Sequence, residues 1–507
     1  MRRANLRRIS DCVTTKEIYE TNEGVIAFLS SDGISWRSGG KVGLAIKSSK
    51  LIDGELRKLP GVDTLLENPR LKELACRWSQ PLVVSTIRAI LTEKRAEIRK
   101  GKSFGGADVI VREIIDDLNL FTAGFLRKVI NATGIIIHTN LGRSPISPDI
   151  ISDVLEISAA YSNLEFDLIS GKRGKRGSAL RQLISIATGC ESALVVNNNA
   201  AALFLILADL AGGSEVIVSR GELVQIGGGF KIPEIMGASG AIMKEVGTTN
   251  RTSIKDYDKA ISSKSALMLK VHRSNFIIEG FFEEVSFSDL AELGRRRKMP
   301  VVIDLGSGVL VNPSISGLDK EPTIREAVKS GADLICFSGD KLLGGGQAGI
   351  IIGKRKLIER LNKNPIFRVV RPDKITIGIL ESLFMKYLKG EIQEIPIWAS
   401  ITVDDNTLLD RSRRFVEKLN FYEGRISIEN SFAYAGGGSD PGGKIKSVVI
   451  AFHKINAQEL SAVFRKCNPP VIGRIEGGLF CLDLRTVFPS QEEALSIIVK
   501  EALINYK

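Results

Sequence analysis

The chain has 507 residues, 44% of them hydrophobic, which is enough for two or more domains, and no apolar run is long enough to cross a bilayer. Lysine and arginine number 70 against 58 acidic residues, and the resulting net charge of +12 favours polyanionic partners such as nucleic acid. Six cysteines without paired spacing and only three histidines argue against a disulfide framework and structural zinc, and favour a reducing cytoplasm.

Residues 1–58 carry no recognisable functional motif. The start, "MRRANLRRIS", is rich in arginine, but no apolar segment of the secretory kind follows it. A disordered basic tail is the preferred interpretation, and an organelle presequence is the weaker one. The passage "SSDGISWRSGGK" predicts a loop or a short hairpin. We therefore treat residues 1–58 as an N-terminal extension of unknown role.

Residues 59–128 have apolar positions at helical spacing among many charges, as in "LPGVDTLLENPRLKELACRW" and "PLVVSTIRAILTEKRAEIRKG". This pattern predicts a small helical domain. A solvated helical bundle without a ligand is the alternative.

Residues 129–385 alternate helical patterns with short apolar runs such as "EVIVS", "ALMLKV", "PVVIDL" and "DLICFS". Such runs are typical of strands buried on both faces, so they predict an α/β domain with a mostly parallel sheet. Functional residues of this fold class collect at the carboxyl ends of the strands. Residues 386–507 predict a compact C-terminal α+β domain, in which "EGG" at residues 476–478 turns a hairpin.

Lys341 follows a buried strand and precedes a cluster of glycines in "DLICFSGDKLLGGGQAG". Neither nucleotide fingerprint is present: Ala348 and Arg355 break the phosphate-loop pattern, and Ile232 breaks the dinucleotide pattern in "GGGFKIP". A lysine whose pKa is depressed by burial can instead act as a nucleophilic amine that forms an imine. Proteins hold pyridoxal phosphate in this way.

Pyridoxal phosphate also needs a carboxylate at its ring nitrogen and donors for its phosphate. Asp304 ends the apolar run "PVVIDL" and is the candidate carboxylate. Asn197, Asn198 and Asn199 open a predicted helix whose amides suit an anion, and Ser338 adds a hydroxyl. Each is ambiguous alone, since Asp304 could cap a helix, the asparagines could form an ordinary turn and Ser338 could bond its own backbone.

Longer motifs carry a resemblance to a known family. They are "INATGIIIHTNLGRSP", "YSNLEFDL", "ALVVNNNAAA", "VSRGELVQIGGGFKIPEIM", "VGTTNRT", "LKVHRSNF", "IDLGSGVL" and "FSGDKLLGGGQAGIIIGK". From about residue 59 to the C-terminus the chain resembles bacterial selenocysteine synthase, the L-seryl-tRNA(Sec) selenium transferase family. The resemblance implies an aminotransferase-like type I PLP fold with a tRNA-binding domain at 59–128, a PLP-binding large domain at 129–385 and a small domain at 386–507. It also implies a homodecamer built from dimers, with active sites between subunits.

The implied reaction converts seryl-tRNA(Sec) to selenocysteinyl-tRNA(Sec) with selenophosphate, through a PLP-bound aminoacrylyl intermediate. In this reading Lys341 holds pyridoxal phosphate and takes the serine Cα proton, and Asp340 assists proton transfer. Arg143, Arg368 and Arg371 match positions that bind selenophosphate in the family. The spacing of the last two predicts one shared helix face, and without the resemblance they would be surface arginines of a solvated helix.

Several features stay open. His272 could lie near the cofactor, but a structural histidine is an equal reading, so it is left out of the catalytic set. The basic loop at residues 170–178 suits a phosphate or RNA backbone, or simply solvent. Gly346 stands where family members usually have proline. The rival functions are a PLP-dependent lyase acting on a small (phosphorylated) amino acid and a non-catalytic tRNA-binding protein.

Overall fold

The computed structural model describes residues 52–103, 105–226, 229–311, 318, 321–419, 424–436 and 443–504, and the backbone of four strands within residues 1–51. The predicted basic tail lies outside the described residues, apart from the strand at Arg7–Arg8. The chain forms two units, Met1–Arg127 and Lys128–Lys507.

The first unit contains a small antiparallel sheet and a group of helices. Its strands pair in chain order: β1 (Arg7–Arg8), β2 (Ile18–Glu20), β3 (Ile26–Ser30) and β4 (Gly33–Arg37). Its helices are α1 (residues 52–58), α2 (Val62–Leu66), α3 (Pro69–Arg77), α4 (Gln80–Arg99) and α5 (Ala107–Ala123). The pairing of β3 with β4 agrees with the hairpin expected for this region.

The helices of the first unit begin and pack as their sequences predict. Asn68 accepts a hydrogen bond from the Arg70 amide at 3.0 Å, and Ser79 accepts one from the Leu82 amide at 3.3 Å, so two helices start at side-chain caps. Apolar side chains at helical spacing form one core: Leu65, Leu71, Val83, Ile87, Leu91, Ile110, Val111, Ile114 and Leu118.

A seven-stranded sheet organises the second unit. Its strands, in spatial order, are β13 (Ile242–Val246), β10 (Glu215–Ser219), β14 (Ser265–Val271), β15 (Val301–Gly306), β16 (Leu334–Ser338), β17 (Gly349–Gly353) and β9 (Ser192–Val196). All neighbouring pairs are parallel except those made by β17. The mostly parallel sheet expected from the apolar runs is therefore confirmed.

Both faces of this sheet are covered. Alternate side chains of β15 enter two different cores, Ile303 on one face and Val302 on the other, which is why its sequence reads as continuously apolar. The first core includes side chains from α6 (Pro148–Ala159), α7 (Ser178–Thr188), α10 (Ile254–Ala260), α11 (Phe287–Arg297), α12 (Ile324–Lys329), α15 (Lys374–Lys389) and α16 (Pro396–Thr402). The second is built with α8 (Asn199–Ala211), α9 (Ile232–Ala238), α13 (Arg355–Lys363) and α14 (Pro365–Val370).

The C-terminal part adds a five-stranded sheet. Its spatial order is β21 (Arg474–Glu476), β22 (Leu479–Asp483), β19 (Lys444–Phe452), β18 (Ile426–Gly436) and β6 (Ile135–Ile137). The helices α17 (Asp405–Glu417), α18 (Ala457–Lys466) and α19 (Glu492–Ile504) contribute to its core. Short strand pairs are β5 (Ile130–Asn131) with β20 (Val471–Ile472), β7 (Phe166–Asp167) with β8 (Lys172–Arg173), and β11 (Gln225–Ile226) with β12 (Phe230–Lys231).

Within the described part of the chain, no helix has both the length and the apolar character that spanning a bilayer requires. Among the same residues, no group of His, Cys, Asp and Glu side chains is arranged to hold a metal ion.

Candidate active site

Lys341 lies in a tight turn after β16 and is only 5% exposed. The turn is fixed by its own backbone, since the Gly344 amide donates to the Lys341 carbonyl at 2.9 Å and the Leu342 amide donates to the Ser307 carbonyl at 3.0 Å. The Lys341 Nζ atom lies 3.8 Å from the point that a Cβ on Gly306 would occupy. Glycine at this position, with φ of +71°, therefore keeps the space beside the amine free of a side chain.

Burial lowers the pKa of Lys341 below its ordinary value, and the nearby positive charge of Arg143 lowers it further. Asp304, Asp340 and Glu321 act in the opposite direction, but burial is the largest effect. A lowered pKa increases the unprotonated fraction of the amine near neutral pH. The unprotonated amine is the form that attacks an aldehyde.

Asp304 is buried near the end of β15, with 4% exposure. Its Oδ1 accepts hydrogen bonds from Asn199 Nδ2 at 2.8 Å and from the Gly306 amide at 3.1 Å. Cys336 is its register partner on β16. Burial raises the pKa of Asp304, while the bond from Asn199, the charge of Lys341 and the Gly306 and Cys336 contacts oppose that rise. The site thus holds a buried carboxylate surrounded by donors.

The asparagine run lies at the start of α8, as predicted, but its members have different contacts. Asn198 caps the helix by accepting from the Ala201 amide at 2.9 Å, and Asn197 is exposed at the carboxyl end of β9. Asn199 points its amide at Asp304, so its Nδ2 serves the carboxylate. Ser338, 6% exposed, ends β16.

Arg143 approaches the lysine through Asp340. Its Nη1 donates to Asp340 Oδ2 at 2.6 Å, and the Ser144 amide donates to the Asp340 carbonyl at 3.3 Å. Arg143 has a left-handed backbone, with φ of +61°, which is uncommon for a residue other than glycine. The structure therefore brings Arg143, Asp340 and Lys341 together.

The expectation of one helix face for Arg368 and Arg371 is wrong. Helix α14 ends at Val370, and Arg371 has extended backbone angles of φ −69° and ψ 143°. The reason is local, because Pro372 disfavours helical geometry at the residue before it. Arg368 is exposed, whereas Arg371 contacts Glu165, with 3.5 Å between Nη1 and Oε1.

Glu165 also contacts two arginines of the basic loop. Arg173 lies 3.0 Å and Arg176 3.2 Å from its carboxylate oxygens, and Arg176 further donates to the Pro372 carbonyl at 2.7 Å. The loop is thus tied to the segment that carries Arg371. The residue spacing of the basic loop does not predict that Glu165 is the shared partner of these arginines and Arg371.

Two further groups near the lysine were missed by sequence reasoning. The Oγ of the buried Ser274 lies 3.3 Å from the Cβ position at Gly306, the same point that approaches Lys341 Nζ. Cys336 faces Asp304 across the β15–β16 pair. His272, which sequence reasoning left out of the catalytic set, follows β14, and its Nε2 lies 3.2 Å from Glu321 Oε2.

Comparisons with known proteins identify the family. A family model described as "L-seryl-tRNA selenium transferase" matches residues 129–488, and one described as "Selenocysteine synthase N terminal" matches residues 56–95. The chain belongs to the L-seryl-tRNA selenium transferase family. The resemblance drawn from the sequence motifs is thereby confirmed.

Individual relatives match over most of their length. The L-seryl-tRNA(Sec) selenium transferase of Carboxydothermus hydrogenoformans is 40% identical over 458 residues, which cover 89% of this chain and 98% of the relative. That of Geotalea uraniireducens is 43% identical over 452 residues, covering 87% and 97%. A solved structure of D-glucosaminate-6-phosphate ammonia-lyase has a TM-score of 0.54 at 20% identity and covers 77% of this chain and 98% of its own. This similarity supports the type I PLP fold.

The residues at this site fit pyridoxal phosphate. A buried amine of lowered pKa suits the aldehyde, and the buried Asp304 carboxylate suits a protonated ring nitrogen. The start of the 13-residue helix α8 suits a phosphate group. Gly306 leaves the space next to the amine open.

Proposed function

We propose that this chain is an L-seryl-tRNA(Sec) selenium transferase, which uses pyridoxal phosphate to convert seryl-tRNA(Sec) to selenocysteinyl-tRNA(Sec) with selenophosphate. The observation that carries the proposal is the buried Lys341 amine, close to Asp304, in a chain that matches the family over residues 129–488. The family and the fold imply the cofactor.

Lys341 and Asp304 have different roles at the cofactor. When bound, pyridoxal phosphate supplies an electron sink for negative charge developing at the serine Cα. Lys341 would hold the cofactor aldehyde, and its amine, whose pKa is lowered by burial, would accept the Cα proton. Asp304 would hold a proton on the ring nitrogen. Asp340 would direct Arg143 and influence the charge on Lys341.

The phosphate of the cofactor needs its own donors. We assign it to the start of α8, with Asn198 at the helix cap, Asn197 directly after β9 and Ser338 at the end of β16. Asn199 belongs to the same cofactor site but contacts Asp304.

Selenophosphate requires a second anion site. We propose Arg143, Arg368 and Arg371, whose guanidinium groups can grip tetrahedral oxyanions with paired donors. Arg143 already lies beside Asp340, while Arg368 is exposed and free to meet a ligand or a second subunit.

An exposed apolar surface in the second unit supports homo-oligomerisation. Tyr161, Leu168 and Ile169 are 106%, 73% and 101% exposed. All three line a surface cavity of about 870 Å³. Apolar patches of this kind mark protein interfaces. We propose a second copy of the chain as the occupant, and a decamer built from dimers as the full assembly.

Three of the four segments take the roles implied by the resemblance. Residues 59–128 bind the tRNA, 129–385 hold the cofactor and 386–507 form the small domain, while the role of 1–58 stays open. Exposed basic side chains on α3 and α4 would contact RNA phosphates: Arg70, Lys72, Arg77, Arg88, Arg95 and Arg99. Since charged tRNA is found where translation occurs, we propose a cytoplasmic protein.

The test is a reconstituted reaction. Purified protein loaded with pyridoxal phosphate is given seryl-tRNA(Sec) and selenophosphate, and the amino acid recovered from the tRNA is identified by mass spectrometry. We expect selenocysteine, and no turnover of free serine or phosphoserine. Turnover of a small amino acid without reaction of the tRNA ester would support a lyase, and tRNA binding without cofactor uptake would support a non-catalytic protein.

A further inference from the structure

Among the described residues, one side-chain amide donates to the carboxylate of Asp304, and it comes from a distant part of the chain. Asn199 lies in the first turn of α8, 105 residues before Asp304, and its Nδ2 is 2.8 Å from Oδ1. The Gly306 amide donates to the same oxygen at 3.1 Å. The contact therefore joins a helix start to the end of a central strand.

The three consecutive asparagines, residues 197–199, differ in their side-chain hydrogen-bond partners. Asn198 uses its side-chain oxygen to cap α8, and Asn197 is exposed. The Oδ1 of Asn199 is buried and has no hydrogen-bond partner among the described residues. The orientation of Asn199 is thus set by Asp304 and not by the helix backbone.

An amide donor selects one charge state of its partner. Burial disfavours the ionised carboxylate of Asp304, and a hydrogen bond donated to that carboxylate favours it. Asparagine does not ionise, so its Nδ2 remains a donor over the whole working pH range. A donor to a charged acceptor has a larger effect than one to a neutral acceptor.

We propose that Asn199 is a positioning residue that keeps the Asp304 carboxylate ionised and directed at the ring nitrogen of pyridoxal phosphate. The proposal rests on the cofactor assigned above, but it does not depend on selenium transfer. Failure of the tRNA reaction and failure of this proposal are therefore separate results.

The experiment compares the affinities of the apoprotein for pyridoxal phosphate and for its 1-deaza analogue, which keeps the aldehyde and the phosphate but lacks the ring nitrogen. The wild-type protein prefers pyridoxal phosphate, and Asp304→Ala removes this preference. Asn199→Ala is expected to reduce it on the order of tenfold. Asn199→Asp, which keeps the shape but replaces the donor by an acceptor, reduces it at least as far.

Asn198→Ala is the matched control. It weakens the start of the same helix without touching Asp304, so the affinities for both compounds fall by the same factor. An equal fall for both compounds in the two Asn199 variants, an unchanged preference, or a wild-type protein that does not discriminate between the compounds would overturn the proposal.

Discussion

Arg143 donates from Nη1 to Oδ2 of Asp340 at 2.6 Å, and Asp340 directly precedes Lys341 in the chain. The two charges act on the lysine with opposite sign, since Arg143 lowers the pKa of Lys341 and Asp340 raises it. The effects of the two partners on the pKa of Lys341 thus oppose each other. Its geometry places the guanidinium of the proposed selenophosphate site next to the cofactor lysine.

Removing the charge of Arg143 and removing the charge of Asp340 should shift the pKa of Lys341 in opposite directions. Arg143→Gln raises the pKa of Lys341, and Asp340→Asn lowers it. The measurement is the pH dependence of the rate at which the apoprotein takes up pyridoxal phosphate, because uptake requires the unprotonated amine. Arg368→Gln is the control and leaves the inflection in place. Shifts of the same sign in both variants would contradict this assignment.

The lowered pKa of the buried Lys341 should also make the free energy of unfolding of the apoprotein depend on pH. Between its lowered folded-state pKa and the ordinary value of 10.5, the unfolded chain carries a proton on Lys341 that the folded chain lacks. The free energy of unfolding attributable to this group therefore rises with pH in that window. Lys341→Met should be more stable than wild type near neutral pH, with an advantage that shrinks as the pH approaches 10.5.

Urea unfolding of both apoproteins over this pH range measures the difference. A difference that stays constant, or grows with pH, would mean that the folded-state pKa of Lys341 is not lowered.

The two arginines around α14 should affect binding without affecting folding. Arg368→Ala and Arg371→Ala remove exposed or half-buried guanidinium groups, so the free energy of unfolding should change by about 0.5 kcal/mol or less. The KM for selenophosphate should rise about tenfold to a hundredfold, while the KM for seryl-tRNA stays the same. Arg173→Ala, which removes the 79% exposed partner of Glu165, is the control. Equal changes for both substrates would contradict the assignment.

Substituting alanine for each of two glycines in the turn after Lys341, Gly344 and Gly346, should change the free energy of unfolding in opposite directions. A Cβ on Gly346 would meet its nearest neighbour, Ile379 Cδ1, at an ordinary 3.5 Å, whereas a Cβ on Gly344 would meet Ile395 Cγ2 at 2.5 Å, at φ of +83°. Gly346→Ala should raise the free energy of unfolding by about 0.4–1 kcal/mol. Gly344→Ala should lower it by about 2 kcal/mol or more.

Urea titrations of the two variants test this pair. Loss of stability in Gly346→Ala would show that this position requires glycine.

Local patterns predicted the elements that depend on local interactions. The apolar runs gave the central strands, and "EGG" gave the hairpin, in which Glu476 pairs with Leu479 across Gly477 and Gly478. Strand ends also located Lys341 and Asp304, because side chains at those ends of a parallel sheet converge. These positions follow from where the apolar runs end in the sequence.

Contacts between distant segments were not predictable in this way. The Asn199–Asp304 bond spans 105 residues, and the asparagine run reads equally well as a turn or a helix cap. The helix-face argument for Arg368 and Arg371 failed because residue spacing was applied across a helix end. The signal that corrects it, Pro372, was present in the sequence.

The covalent role of Lys341 is tested most directly by reducing the pyridoxal phosphate complex with borohydride and mapping the modified peptide. The predicted result is one pyridoxyl group on Lys341, and no modification after Lys341→Ala. Lys270 is the internal control, since it is also buried but lies 2.7 Å from Glu222 in an ion pair. A pyridoxyl group on Lys270 or another lysine, retained in Lys341→Ala, would contradict the account.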